Sequence, residues 1–366
     1  MASADVCIVG GGVIGRCAAL ELIQRGVRVA LVSMDLPGTS SRAAAGLLAP
    51  SIEGGSGPAY DFAIAARDLY PSFLEGLTSR VGGEIEFSRD GILDVATDEA
   101  SEVRLRERAA ALRKAYLAPN EVADLEPALV PSRGGLLAQL DGYVDNVALM
   151  DALEKATRSA GTRLREMPAV VSRVELHGDS ASVVLDGGER VGCGGVVLAG
   201  GARSASIAGL PRPLPVHPLK GQMIRYEPPA IGLRRAVYGA GVYLVPRGGS
   251  AILVGATSED VGFDLALTEK AGMELSTGAK TLLPSLDSLK AVDQWTGLRP
   301  MTPDSLPILG TDPEVSSLIY ACGHSRNGIL KAPITGECVA DLCVGENARW
   351  DLSPFSVARF ETPHAR

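Results

Sequence analysis

Arg326 lies in the stretch GHSRNGIL, residues 323–330, where polar residues directly precede an apolar run. The run predicts a helix, and a helix N-terminus carries partial positive charge and unpaired backbone N–H groups, so it favours anions over cations. Either Arg326 is a solvated loop residue, or its charge and the helix N-terminus converge on something negative. The second alternative would make this stretch part of a binding site.

Two further residues could take part in such a site. Arg299 lies in WTGLRPMTPDSLPILG, residues 295–310, a loop fixed by prolines. Tyr243 lies in VYLVPR, residues 242–247, where the period of a strand places Tyr243 and Val245 on one face. Tyr243 is either ordinary strand packing or a group that faces a ligand. The histidines at 177, 217, 324 and 364 have no metal-ligand spacing, so no metal site is predicted.

A glycine fingerprint follows the first predicted strand, residues 5–9. Gly10, Gly12 and Gly15 stand as G-x-G-x-x-G ahead of a predicted helix over residues 13–24, and a second strand is predicted over 27–32. These glycines allow a tight turn, the approach of backbone to a pyrophosphate and close packing of helix on strand. The β-α-β unit predicts dinucleotide binding; the alternative is a tight strand–helix turn without a ligand.

The group that would hold the ribose is not obvious. The second strand ends at Ser33 rather than at an acidic residue, and the nearest carboxylate is Asp35. The Ser33 hydroxyl, the loop backbone or Asp35 could take this role. The next stretch, GTSSRAAAGLLAP at 38–50, is either a flexible loop or backbone that passes close to a flat ligand. On the second reading Ser40 and Ser41 could reach phosphate or ribose, and residues 45–47 could pass beside a ring.

The rest of the chain predicts an α/β fold with two domains. Helices are predicted over 59–81, 98–115 and 147–159, the last capped by Asp145 and Asn146. A buried strand within 194–204 ends in Gly200 and Gly201 and would return to the first sheet, so the cofactor domain would be discontinuous. Residues 220–295 are predicted to form antiparallel strands.

Composition excludes several classes of protein. A net charge of −8 without a basic cluster argues against nucleic-acid binding. The six cysteines include no CxxC and are expected to be reduced thiols. No run of 18 apolar residues predicts a membrane span, and a cytoplasmic protein is expected.

Four motifs together resemble the D-amino acid oxidase family of FAD-dependent amine oxidases, and within it the glycine oxidases of thiamine biosynthesis. They are GGGVIG, SSRAAAGLLAP, GLRP and GHSRNGIL, and the resemblance extends from residue 5 to about 343. It implies a Rossmann-type FAD-binding domain over 1–50, 142–218 and 296–366. The implied substrate-binding domain, with an antiparallel sheet, covers 51–141 and 219–295.

The resemblance also implies roles for single residues. Arg299 and Arg326 would flank the substrate carboxylate, with Tyr243 reaching it from the neighbouring sheet. The implied FAD-binding residues are Gly10, Gly12, Val13, Ile14, Gly15, Ser33, Ser40, Ser41, Ala45, Gly46, Leu47, Val171, Gly200, Gly201, Gly323, Arg326, Asn327, Gly328, Ile329 and Leu330. The chain departs from the family pattern at Ser33, Arg203, Gly241 and Lys331.

The implied activity is oxidation of glycine, sarcosine or small D-amino acids by hydride transfer to non-covalent FAD. Dioxygen would be the acceptor, giving hydrogen peroxide, an oxo acid and ammonia or an amine. Three alternatives stay open: a dehydrogenase that passes electrons to a quinone or partner, a non-catalytic flavin-binding subunit, and, less favoured, an NAD-dependent dehydrogenase. The resemblance is also compatible with a homo-oligomer.

Overall fold

The computed structural model describes residues 4–228 and 232–361. His364 and the ends of the expected domains at 1–3 and 362–366 therefore lie outside the described residues, as does the segment 229–231. The helices are α1 Val13–Gln24, α2 Ser40–Ala43, α3 Pro50–Glu53, α4 Pro58–Val81, α5 Glu99–Ala111, α6 Pro119–Leu125, α7 Asn146–Arg158, α8 Glu269–Leu282 and α9 Gly328–Cys343.

The strands belong to three sheets. They are β1 Ala4–Val9, β2 Val29–Val32, β3 Leu47–Leu48, β4 Phe87–Ser88, β5 Ile92–Val95, β6 Gly135–Ala138, β7 Gly142–Val144, β8 Leu164–Met167, β9 Val171–His177, β10 Ser180–Leu185, β11 Arg190–Leu198, β12 His217–Tyr226, β13 Ala236–Gly239, β14 Val242–Arg247, β15 Ala251–Gly255, β16 Asp293–Met301, β17 Ile308–Thr311 and β18 Leu318–Cys322.

The first sheet has the order β17-β18-β11-β1-β2-β8, with β10 and β9 added beside β11. Strand β1 pairs in parallel with β11 and β2, and both faces of the sheet are covered, so Cys7 and Ile8 are fully buried. Helices α1 and α9 pack closely on one face, because a β-carbon at Gly336 would lie 2.8 Å from the carbonyl carbon of Cys17. The predicted β-α-β unit is confirmed, and α1 has the predicted bounds.

The second sheet has the order β16-β12-β15-β14-β13-β5-β6 and is antiparallel apart from the β13–β5 pair. Strands β12, β14 and β15 confirm the antiparallel strands predicted within residues 220–295, but α8, which was not predicted, also lies there. Thr268 caps α8 by accepting a hydrogen bond from the Ala271 N–H. Leu275 and Leu282, which are spaced for one face of a helix, pack against this sheet. This helical spacing differs from the alternation of apolar and polar residues that predicts a strand.

The expected domain boundaries stay a prediction, but two features bear on where they fall. Strand β16 continues the second sheet to Met301, past the boundary expected at residue 296. Strands β3, β4 and β7 form a separate small sheet that carries Gly46 and Leu47 toward the first sheet. All six cysteines are free thiols, as expected. Across 4–228 and 232–361, no helix is long and apolar enough to cross a membrane.

Candidate active site

A cavity of about 960 Å³ runs between the first and second sheets. Its walls include the turn after β1, the end of β2, the stretch from Leu36 to Leu47, and the loop that leads into α9. Ligand sites in α/β sheets lie outside the carboxyl ends of their strands, where this cavity begins. Tyr243, Arg299 and Arg326 line the same cavity at the second sheet, so the predicted cofactor and substrate residues meet in one space.

The turn after β1 has the backbone geometry that a pyrophosphate site requires. Gly10 has φ +109°, and a β-carbon there would lie 2.3 Å from the Ala199 oxygen. A β-carbon at Gly15 would lie 1.9 Å from the Gly10 oxygen, so side chains are excluded at both positions. Gly15 does not reach the cavity wall; it allows α1 to pack directly behind the turn. Gly12, Val13 and Ile14 do line the cavity.

The residues proposed for ribose and phosphate lie beside this turn. The Ser33 hydroxyl is 2.8 Å from where a Gly11 β-carbon would be, and Ser33 lines the cavity whereas Asp35 does not. The Ser41 hydroxyl accepts a hydrogen bond of 3.0 Å from the Val13 N–H and so satisfies one of the free amides of α1. Ser40, Val171, Gly200 and Gly201 also line the cavity.

Residues 45–47 pass the cavity as ordered backbone rather than as a flexible loop. Gly46 has φ +74°, and a β-carbon there would lie 1.9 Å from the Val144 oxygen. The Arg247 guanidinium donates to the Ala45 oxygen at 2.7 Å and to the Val144 oxygen at 3.2 Å. Arg247 therefore fixes this backbone, a role that sequence analysis did not identify.

Three side chains from distant parts of the chain converge at the other end of the cavity. Arg299 donates to the Thr257 oxygen at 3.0 Å, and Arg326 donates to the Ser258 hydroxyl at 3.1 Å. Burial lowers the pKa of Arg299, and the charge of Arg326 lowers it further. Burial raises the pKa of Tyr243 although both arginines act to lower it, so its hydroxyl remains a proton donor at neutral pH.

The two arginines form no salt bridge with any carboxylate in the described part of the chain. Arg299 is only partly exposed, and a cation removed from water without a counterion is costly. A planar ligand anion would accept from both guanidinium groups and from Tyr243 at once. The geometry therefore fits a binding site for a carboxylate.

The loop 323–330 joins the two ends of the cavity. Gly323 and Ser325 have φ +66° and +53°, and the Ser325 N–H donates to the Pro300 oxygen at 3.0 Å, next to Arg299. Asn327, Gly328 and Ile329 line the cavity at the start of α9, whereas Leu330 does not reach the cavity and is buried in the core.

His324 belongs to this loop, and its side chain is buried. Its Nε2 lies 3.1 Å from the Thr335 hydroxyl, and its exposed fraction is 2%. Burial, together with the charge of Lys331, lowers the pKa of His324 to about 3. The imidazole is therefore neutral at physiological pH and adds no charge to the site.

Tyr70 supports the first turn of α9 in a way that sequence analysis missed. In a helix the Ile329 carbonyl would accept from the N–H of residue 333, but that residue is Pro333 and has none. The fully buried Tyr70 hydroxyl donates to the Ile329 oxygen at 2.5 Å instead. The sequence shows a proline inside α9, but it does not show that a tyrosine of α4 replaces the missing hydrogen bond.

A glycine cradle beside a helix N-terminus and a pair of arginines line one cavity, which is the arrangement of an oxidoreductase that holds a dinucleotide. A family model described as DAO, FAD dependent oxidoreductase, matches residues 5–342. The chain belongs to this family, and its cofactor is FAD. The backbone that lines the cavity at Gly10, Gly12 and Gly46 fits this cofactor, because side chains are excluded or small along its path.

Known relatives cover nearly the whole chain. It is 36% identical to the glycine oxidase of Geobacillus kaustophilus strain HTA426, over 97% of each chain. It is also 36% identical to the bifunctional protein ThiO/ThiG of Trichormus variabilis, in a match covering 98% of this chain and 55% of that protein. A crystal structure of glycine oxidase from Geobacillus kaustophilus has a TM-score of 0.90 and 34% identity, covering 99% of this chain and 100% of that one. The predicted family and the predicted FAD-dependent enzyme are confirmed.

Proposed function

We propose that the protein is an FAD-dependent amino acid oxidase that acts on glycine, sarcosine or small D-amino acids. One observation carries the proposal: Tyr243 and two arginines, which have no acidic partner within 4–228 and 232–361, line the cavity that the glycine cradle opens into. The relatives named glycine oxidase support the same class of substrate.

The arginines and the tyrosine would hold the substrate by its carboxylate. Arginine presents a planar fork that matches the two carboxylate oxygens, and the protonated Tyr243 adds a third donor. Thr257 and Ser258 fix the two guanidinium groups from one loop after β15, so their relative position is set before the substrate arrives. A fixed carboxylate leaves the α-carbon in one orientation, which is what hydride transfer needs.

FAD, when bound, supplies the two-electron acceptor for the hydride of the substrate α-carbon. The start of α9 contributes the positive end of the helix dipole to the cavity wall at Gly328 and Ile329, an arrangement that stabilises negative charge. His324 is neutral and bonded to Thr335, so it is not assigned the role of base. The substrate amine would bind neutral or lose its proton to water.

Loss of a hydride and a proton converts the amino acid to an imino acid, which water hydrolyses to an oxo acid and ammonia or an amine. Dioxygen would take up the two electrons and two protons to give hydrogen peroxide. The non-covalent attachment of FAD, the acceptor, the link to thiamine biosynthesis and a homo-oligomeric state are all part of this proposal.

The test is peroxide production by the purified FAD-loaded protein with glycine, sarcosine, D-alanine, D-proline and bulkier D-amino acids. We expect peroxide and anaerobic bleaching of the flavin absorbance with the small substrates. Turnover only with an artificial electron acceptor would replace the oxidase by a dehydrogenase. No bleaching with any amino acid would contradict the proposed function.

A further inference from the structure

The cavity continues past Tyr243 along the face of the second sheet. Across the strand pairs, Tyr243 lies opposite Tyr238, and Tyr238 lies opposite Asp94. The two tyrosine rings are 5.7 Å apart between centroids. Because neighbouring strands are about 4.8 Å apart, the Asp94 backbone is about 10 Å from that of Tyr243. We call this end of the cavity the distal lobe; it is lined by Glu53, Asp94, Arg104, Tyr238, Gly239 and Gly241.

The turn between β13 and β14 leaves room in the distal lobe. Gly241 has φ +77°, and no atom lies within 4 Å of the position that its β-carbon would take. Gly239, by contrast, is closely packed, because a β-carbon there would lie 2.8 Å from a Leu282 methyl group. Gly241 is exposed, so the lobe opens to solvent at this turn and leaves room for part of a substrate that extends beyond its α-carbon.

The two acidic residues of the distal lobe already accept hydrogen bonds. The Asp94 carboxylate accepts from Arg108 at 3.1 Å, and the Glu53 carboxylate accepts from the Asn327 amide at 3.0 Å. Arg108 thus pairs with the charge of Asp94, whereas the Asn327 amide is neutral and only orients the Glu53 carboxylate.

The two donors of the distal lobe have no acceptor of their own. Neither the Arg104 guanidinium nor the Tyr238 hydroxyl is hydrogen-bonded to any residue within 4–228 or 232–361, and Arg104 forms no ion pair there. Burial, together with the charges of Glu53 and Asp94, keeps the pKa of Tyr238 well above its ordinary value, so its hydroxyl stays protonated. Arg108 and Arg104 both act on the charge of Asp94, and of these two cations only Arg108 is bonded to it.

We propose that the distal lobe binds an anionic group of the substrate, so that the enzyme accepts amino acids carrying a second carboxylate. The inference rests on the proposed function, since Arg299, Arg326 and Tyr243 would hold the first carboxylate. The second carboxylate, on the side chain or on the amine substituent, accepts from Tyr238 and from Arg104. Arg104 lies on the exposed face of α5, and its long side chain can follow substrates of different lengths.

Matched substrate pairs test this proposal. D-Glutamate is compared with D-glutamine, and N-(2-carboxyethyl)glycine with its amide, using kcat/KM from peroxide production by the FAD-loaded protein. Within each pair only the charge of the distal group changes. We expect the acid to exceed the amide by about tenfold in at least one pair, the usual scale for one charge-assisted hydrogen bond.

Two variants test whether the distal lobe causes the preference for the acid over the amide. Arg104→Gln should lower kcat/KM for the preferred acid by about tenfold and Tyr238→Phe by about three- to tenfold. Neither should change kcat/KM for the matched amide by more than about twofold, because that substrate lacks the charge. Arg106→Gln is the control, since Arg106 lies on the same helix but is bonded to Glu102 away from the cavity.

The proposal is overturned if the acids show no advantage in either pair, if D-lysine is preferred to both acids, or if Arg106→Gln acts as strongly as Arg104→Gln. These outcomes are distinct from failure of the proposed function. In that case glycine, sarcosine and D-alanine would also leave the flavin absorbance unchanged.

Discussion

The two ends of the cavity are built in different ways. The cradle at Gly10 and Gly15 consists of closely packed backbone, from its own turn and from Ala199 just after β11, and it has no room for side chains. The proposed carboxylate site consists of side chains from β14, β16 and the loop before α9, and there Arg299 and Arg326 have no acidic partner among the described residues. One end depends on the packing of backbone, and the other depends on side chains brought together from distant parts of the chain.

This difference teaches that the two functions of the cavity can be lost separately. A change at the carboxylate site should reduce turnover and leave FAD bound. A change at the cradle should release FAD while the arginines keep their positions. Helix α9 touches both ends, so a change there should affect both. The following predictions test each case in order of expected effect.

The largest effect is expected at the carboxylate site. Removing one member of a buried charged pair costs ~2–5 kcal/mol, so Arg299→Ala or Arg326→Ala should lower kcat/KM by roughly thirtyfold to several thousandfold. The flavin absorbance of the purified protein should not change. Arg326→Lys should also lower kcat/KM, because lysine lacks the fork. Arg225→Ala is a control in the same sheet. A loss of kcat/KM of tenfold or less in both Arg299→Ala and Arg326→Ala would exclude their role in binding the substrate carboxylate.

A substitution in the glycine cradle should weaken FAD binding. In Gly15→Ala the new methyl group would lie 1.9 Å from the Gly10 oxygen, so the turn must open. Overpacking of this kind costs up to about 3 kcal/mol, which corresponds to roughly a hundredfold weaker FAD binding. Flavin fluorescence titration measures this change. Gly76→Ala is the matched control, because nothing lies within 4 Å of its β-carbon position. Unchanged FAD affinity in Gly15→Ala would contradict the packing argument.

A variant of Tyr70 tests the element that both ends share. Tyr70→Phe leaves the buried Ile329 carbonyl without a donor, since Pro333 cannot supply one. We expect the free energy of unfolding to fall by about 1–3 kcal/mol in a denaturant titration of the holoenzyme. FAD affinity and substrate KM should both weaken as the first turn of α9 shifts. Tyr60→Phe, in the same helix, should have no such effect; an equal loss there would remove the assigned role of Tyr70.

The smallest effect is expected for a variant of His324, and it concerns stability at acidic pH. The folded protein keeps His324 neutral down to a pKa of about 3, while the unfolded chain takes up a proton near pH 6.5. Stability is therefore fully present above pH 6.5 and falls as the pH decreases, by about 2 kcal/mol at pH 5. In His324→Gln the difference between unfolding free energies at pH 7.5 and pH 5 should shrink by about this amount. An unchanged difference would show that the imidazole titrates normally.

Sequence analysis predicted the local parts of the molecule well. Helix α1 begins and ends at the predicted residues, and Asp145 caps α7 by accepting from the Val147 and Ala148 amides. These features depend on neighbours within a few residues, so spacing and residue type determine them. The meeting of Arg299, Arg326 and Tyr243 was expected only from the family resemblance, because no local pattern joins them.

Features that depend on tertiary contacts were not predicted. Helix α8 was not predicted because its apolar face is recognisable only against the sheet that it covers. The lobe formed around Tyr238 and Arg104 requires the parallel pairing of β13 with β5, which are more than a hundred residues apart. The contact of Tyr70 with the Ile329 oxygen spans 259 positions in the chain. Long-range pairing of this kind leaves no periodic trace in the sequence.

The shared cavity also has a thermodynamic consequence. Its walls come from residues near both ends of the described chain, from Val9 to Ile329. A ligand that binds only the folded form stabilises it by mass action, by about 2.7 kcal/mol at a hundredfold excess over its dissociation constant. The melting temperature of the protein should therefore rise with the free FAD concentration, and the supply of flavin in a cell would set how much of the enzyme survives proteolysis.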